Sequence, residues 1–196
     1  MAKVIILNGP PGCGKDTLAM QFLDYMKLAD DVNVRFCQFK DALYRETQKI
    51  FSIPDSEMNI FKDRNKKEMP NMLTNYMSPR QALIHVSETI IKPTHGRSYF
   101  GKEALKFVDK HSKNFDYFIF ADGGFIEEVA ELSKHHDVFV VRLHNGGMDF
   151  SGDSRRYLTD QDLVNYGVEY CDFDVHVGRY VYDTIKLAEV VKDYLE

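Results

Sequence analysis

Residues 4–26, VIILNGPPGCGKDTLAMQFLDYM, decide the fold. The apolar run Val4-Ile5-Ile6-Leu7 reads as a buried strand, and Leu18, Phe22 and Met26 recur at i, i+4, i+8 as the inward face of a helix. Between them lies Gly9 to Thr17, GPPGCGKDT, with the spacing GxxxxGK set by Gly9, Gly14 and Lys15. That order, strand then glycine-rich turn then helix, suits a phosphate group. Several backbone N–H groups must converge on one anion, and side chains at Gly12 and Gly14 would stand in their way. The helix N-terminus then points at the anion, and Lys15 reaches its outer oxygens. Gly9, Pro11, Gly12, Cys13, Gly14, Lys15, Asp16 and Thr17 are therefore the expected nucleotide-binding set. Cys13 serves there as a small side chain.

The place after the lysine, where a Ser or Thr commonly touches Mg²⁺, holds Asp16, and Thr17 follows. Two arrangements stay open: Thr17 on phosphate with Asp16 near the metal directly, or Asp16 acting through water. The GKxT order resembles the nucleoside monophosphate kinases, and GKDT most resembles the phage-type deoxynucleoside monophosphate kinases. That resemblance implies a three-layer P-loop α/β fold with a parallel sheet of about five strands, a short LID, ATP and Mg²⁺ as donor and metal, and a nucleoside monophosphate as acceptor. It runs in order along nearly the whole chain, but only the phosphate loop is highly specific.

Downstream, Val32 to Phe39 alternates and reads as a second strand. Asp41 opens a helix with Leu43, Thr47 and Ile50 on one face, ended soon after by Pro54. FKDALYRETQKIF (39–51) resembles the segment after the second strand of the phage kinases, which implies that Asp41 lies by the acceptor; its plain alternative is a helix N-cap. Residues 52–78 are polar and read as a mobile surface insertion. Ser78-Pro79-Arg80-Gln81 then combines an N-cap Ser, Pro at the first helical position and Gln two further on, a strong helix start, with Leu83, Val86 and Ile90 inward and Pro93 as the stop. A cation in a first turn opposes the helix dipole. Arg80 therefore suggests a purpose, binding the acceptor phosphate, with Arg97 in the following loop as a weaker candidate. A helix is expected over 99–112.

Phe115 to Ala121 is a near-continuous apolar strand that runs into Asp122-Gly123-Gly124. A carboxylate at the carboxyl end of a parallel strand is placed to face the phosphate loop and orient Mg²⁺; otherwise it caps the helix expected over 125–133. The run Asp122, Phe125, Glu128 resembles the D-x-x-F-x-x-E pattern of the phage kinases. Val138 to Leu143 is the next strand, and Arg142 within it pairs with phosphate or a carboxylate. Residues 144–156 then occupy the place of the LID, which implies that Arg155 or Arg156 neutralises the transferring phosphoryl group; a solvated Arg-Arg pair is the commoner alternative. A last strand is expected over 174–177 and a last helix from Asp183 or Thr184.

The chain of 196 residues is long enough for one α/β domain, with an acceptor-binding helical insertion over 52–112 and the LID-like loop inside it. A net charge of −5 without a basic stripe argues against a nucleic-acid polymer. Cys13, Cys37 and Cys171 lack CxxC spacing and suit a reducing cytoplasm. No apolar run approaches membrane length, no leader is expected before the first strand, and no HxH or HExxH metal spacing occurs. Oligomeric state stays open, a homodimer included. The expectation is an ATP-dependent phosphotransferase, with Lys15, Asp122, Arg155 and Arg156 as catalytic groups, Asp16, Thr17 and Asp122 near the metal, and Asp41, Arg80, Arg97 and Arg142 on the acceptor. A kinase of another small acceptor, such as a sugar acid or phosphomevalonate, and a nucleotide-dependent switch are the alternatives.

Overall fold

The computed structural model describes residues 1–63, 65–176 and 178–195. In chain order it contains β1 (Lys3–Asn8), α1 (Lys15–Asp30), β2 (Val34–Cys37), α2 (Lys40–Phe51), α3 (Met58–Lys62), α4 (Pro79–Ile84), α5 (Lys92–His95) and α6 (Tyr99–His111). There follow β3 (Tyr117–Gly123), α7 (Ile126–Leu132), β4 (Asp137–His144), α8 (Asp160–Val164), β5 (Glu169–Asp174) and α9 (Tyr180–Leu195). A π-helical stretch, His85–Ile91, joins α4 to α5.

The chain forms two compact units, residues 1–39 with 101–196, and residues 40–100. The first is built on one five-stranded sheet in the order β2-β3-β1-β4-β5, every pair parallel. Parallel neighbours need long crossovers, so helices cover both faces. Side chains of β1 alternate accordingly: Ile5 and Leu7 join Leu18, Phe22 and Met26 of α1 and Leu187 and Val191 of α9. Val4 and Ile6 join Val108 of α6 and Val129 and Leu132 of α7. β1 is central, with β3 on one side and β4 on the other, so the strand order reverses at its carboxyl end. That end is where ligands bind in open α/β sheets, and the glycine loop starts there.

Several boundaries differ from the sequence expectation. The second strand is short because the chain leaves the sheet after Cys37: the Phe39 amide donates to the Asp122 carboxylate at 2.8 Å instead of to a strand. The last strand is Glu169–Asp174, not 174–177, whose Val177 lies outside the described residues. β5 is an edge strand of EYCDFD in which only Phe173 is buried, so it lacks an apolar signature. The final helix starts at Tyr180, three residues before Asp183, and that carboxylate instead accepts from the His176 amide at 2.8 Å. The short helix α8, absent from the sequence reading, begins with a reciprocal capping box between Thr159 and Asp162.

The second unit has its own packing. Ala42, Val86, Ile91 and Phe100 form one cluster, and Ile53, Met58, Phe61 and Ala82 a second. Residues 52–78, expected to be irregular, thus supply three core side chains through short helical turns. The expected capping box is present: the Ser78 hydroxyl accepts from the Gln81 amide and the Gln81 side chain accepts from the Ser78 amide at 2.8 Å. Ile50, expected on the inner face of α2, is instead 40% exposed. Pro93 does not stop the following helix; Gly96, at φ +87°, does. The widened turn explains this. In the π register the Lys92 amide reaches back to Ser87 O, so the ladder has already shifted where the proline nitrogen lacks its hydrogen.

Candidate functional site

The phosphate loop is held open by backbone geometry. Gly12 and Gly14 take φ of +83° and +98°, left-handed conformations that residues with side chains resist. Gly9 is required for a different reason: a Cβ there would lie 2.8 Å from Cys13 Sγ and 2.9 Å from the Leu143 carbonyl oxygen. Cys13 itself is fully buried and packs as a small apolar group. Gly14 is the N-cap of α1 and offers no side chain, so no side chain caps that helix. A helix start of this kind is suited to accept an anion.

Lys15 is buried to 8% exposure, and its Nζ donates to Gly9 O and Pro10 O, each at 2.6 Å. Burial lowers its pKa, and the charge of Arg155 lowers it further, against the opposing pull of Cys13 and Asp16. Thr17 is exposed on the first turn. Asp16 accepts from Gln38 Nε2 at 3.2 Å. At the end of the adjacent strand, Asp122 is also 8% exposed and accepts from the Phe39 amide. Its expected alternative role is not seen: α7 begins at Ile126, and its N-cap position is Phe125, with no side-chain cap hydrogen bond.

The arginine pair separates cleanly. Arg155 is clasped from one side by Asp153, with Nε to Oδ1 at 2.9 Å and Nη2 to Oδ2 at 2.8 Å. Its stem lies on Gly124, where a Cβ would meet Arg155 Cβ, Cγ and Cδ at 2.6–2.8 Å. The hydrogen bond with Asp153 raises its pKa, aided by the charges of Asp153, Asp122 and Glu128. Arg156 turns the other way, 59% exposed, and pairs with Asp162 at 2.9 Å. Arg142 also finds carboxylates, the second of the two partners expected for it. Its Nη1 and Nη2 donate to Asp160 and Asp172 at 2.6 Å each, and its guanidinium lies 4.5 Å from the centre of the Tyr170 ring.

Buried polar ties escaped the sequence reading. Asn8, fully buried at the end of β1, donates to Gly123 O at 3.2 Å and Arg156 O at 3.0 Å, and accepts from the Leu158 amide at 2.9 Å. It ties the start of the phosphate loop to the end of β3 and to the segment carrying Arg155. Its only sequence signal is a polar residue closing an apolar run. Met148, in the LID-like loop, also comes close: a Cβ on Gly12 would lie 3.7 Å from its Sδ.

Asp41, Arg80 and Arg97 belong to the second unit. Asp41 sits in the first turn of α2 and lines a cavity of about 390 Å³ with Tyr44, Arg45 and Lys62. Arg80 reaches Glu68 at 3.4 Å across an exposed pair that solvent screens. Arg97 is exposed and its charge helps hold the Glu88 carboxyl low, where burial is opposed by Lys92 and Ser87.

Among the described residues no three His, Cys, Asp or Glu side chains converge as a metal cage. Mg²⁺ in phosphoryl-transfer sites needs no such cage, since one or two protein oxygens and the phosphates suffice. The oxygens of Asp16, Thr17 and Asp122 fit that hard-donor requirement. Among the same residues, no helix is long and apolar enough to cross a membrane.

No protein-family model matches the chain, and neither does any curated protein sequence. Among solved structures, a sugar kinase from Janibacter sp. HTCC2649 aligns over 100% of this chain and 95% of its own, with a TM-score of 0.48 and 13% identity. A plasmid partition protein from Borrelia burgdorferi aligns over 97% and 85%, with a TM-score of 0.42 and 15% identity. Another from Borrelia burgdorferi B31, bound to AMPPNP, aligns over 98% and 81%, with a TM-score of 0.41 and 15% identity. Likeness at this level carries no inference about activity. The chain's own strand, glycine turn and uncapped helix, at the reversal point of a parallel sheet, make it an α/β protein of the P-loop fold.

Proposed function

We propose that the protein is an ATP-dependent phosphotransferase whose acceptor is a deoxynucleoside monophosphate. The observation that carries the reading is the phosphate loop with Lys15 buried inside it and the clasped Arg155 close enough to influence its charge. The acceptor rests on the sequence resemblance alone. In this reading the phosphates of ATP take over from the Gly9 and Pro10 carbonyls as partners of Lys15, and the first amides of α1 donate to them. Asp16, Thr17 and Asp122 hold Mg²⁺, which when bound neutralises charge on the phosphate oxygens. Arg155 stabilises the charge on the transferring group. The bond from the γ-phosphorus to its β-bridging oxygen breaks as an oxygen of the acceptor phosphate bonds to the γ-phosphorus. That acceptor is already anionic and nucleophilic near neutral pH, so the protein supplies position and charge and needs no general base. Arg80, Arg97 and Asp41 are assigned to the acceptor, and the loop 144–156 to excluding water.

A coupled ADP-release assay with Mg·ATP tests this against dAMP, dGMP, dCMP, dTMP, 5-hydroxymethyl-dCMP and their ribo counterparts. Turnover that appears only with a deoxynucleotide supports the proposal. Slow hydrolysis indifferent to every acceptor replaces the kinase with a nucleotide switch.

A further inference from the structure

We infer that Asp153 is a positioning residue that holds Arg155 preset on the γ-phosphate side of the phosphate loop, so that this arginine is in place before nucleotide binds. Six contacts support it. Asp153 engages Arg155 three times, at the backbone amide (2.9 Å) and at Nε and Nη2, which fixes both the backbone turn and the plane of the guanidinium. The carboxylate is only 8% exposed, so water competes weakly for it. The clasp uses one edge of the guanidinium and leaves Nη1 as the edge turned from Asp153. Beneath, Gly124 supplies a floor with no side chain, two residues past Asp122. Behind, Asn8 pins the next residue's carbonyl and the Leu158 amide to the strand that feeds the loop. A long, flexible side chain is thereby reduced to one orientation, and the ordering cost is met on folding instead of on binding.

The inference rests on the proposed function only in requiring nucleotide in the phosphate loop; it does not depend on the acceptor. Its readout is therefore the ratio of Mg·ATP to Mg·ADP affinity, measured by calorimetry without acceptor. The unaltered protein should prefer ATP, and Arg155→Ala should remove about tenfold of that preference, the scale of one charge-assisted hydrogen bond. Asp153→Asn should lose a similar factor while its ADP affinity stays near that of the unaltered protein. In the Arg155→Ala background, Asp153→Asn should have no further effect, because it acts through the arginine. Gly124→Ala reaches the same end from below, displacing the stem while leaving Asp153 in place, and stands in if the Asp153 variant does not fold. An unchanged ratio in Asp153→Asn or Gly124→Ala, or losses that add fully in the double variant, would overturn the inference. A reduced ratio in a protein that transfers to no acceptor would keep it and discard the kinase reading.

Discussion

At the scale of single residues, Lys15 decides whether the loop is a phosphate site. Lys15→Ala should cut acceptor-dependent ADP release at least about a hundredfold, since the loss falls on charge that develops in the transition state. A rate near that of the unaltered enzyme would remove the centre of the proposal. Its titration gives a second test. The charged amine is the form that binds phosphate, and burial lowers its pKa below the ordinary lysine value of about 10.4. Affinity for Mg·ADP should therefore be full below that lowered pKa and fall as pH rises through it, starting before a solvated lysine would titrate. In Lys15→Arg the guanidinium keeps its charge, so this alkaline limb should flatten. A limb that persists in that variant belongs to another group. The places of Lys15, Asp122 and the glycines were legible because each is set locally, by a spacing in one loop or by the end of a strand. Asn8 and Asp153 were not. The partners of Asn8 lie 115, 148 and 150 positions away, and no local pattern encodes them. Asp153 and Arg155 are two apart, but a D-x-R spacing is too common in loops to mark a clasp.

At the scale of elements, Arg142 stitches rather than binds. Through Asp172, its cross-strand partner in register, and Asp160, it joins β4, β5 and the start of α8, and His144 adds a contact to Asp172 at 2.5 Å. Burial would lower its pKa, but hydrogen bonds and charges from the two aspartates win and raise it. Arg142→Gln should cost about 1–2 kcal/mol of stability, less than a fully buried pair because both carboxylates are more than half exposed. Acceptor KM should hardly change, and a large rise with unaltered stability would return Arg142 to the phosphate. The same scale shows why some elements were readable. α4 was announced by its capping residues, and Ser78→Ala should cost about 1 kcal/mol, seen as a lower melting temperature with the ATP affinity intact. β5 was missed because an edge strand buries one face weakly and reads as polar chain. The run through Pro93 was missed because a π turn leaves no periodic mark of its own.

At the scale of the whole molecule, the chain interrupts one sheet-centred unit with another that has its own small cores. The sequence placed the insertion at 52–112 from composition and from Pro54, whereas the compact unit is Lys40–Phe100. The difference is most of α6, which joins the sheet unit through Ala104 and Val108, and α2, whose Ala42 packs with Val86 and Ile91, a pairing across more than forty residues that composition does not carry. Stability should divide along the same line. Each buried cluster of the second unit has four members, whereas the sheet is sandwiched between two continuous clusters that include Phe22, Phe118, Phe120 and Phe139. Local opening is easiest where few apolar contacts must be broken. Native-state hydrogen exchange in low urea should therefore show the amides of α2 and α4 exchanging through a partial opening, with a lower free energy and a smaller urea dependence than those of β1, β3 and β4. Saturating Mg·ATP should raise the protection of β1 and α1, whose ends form the phosphate loop. One shared free energy and one shared urea slope for all these segments would mean that the two units unfold as one, and the small clusters of residues 40–100 would then have to draw their stability from the sheet.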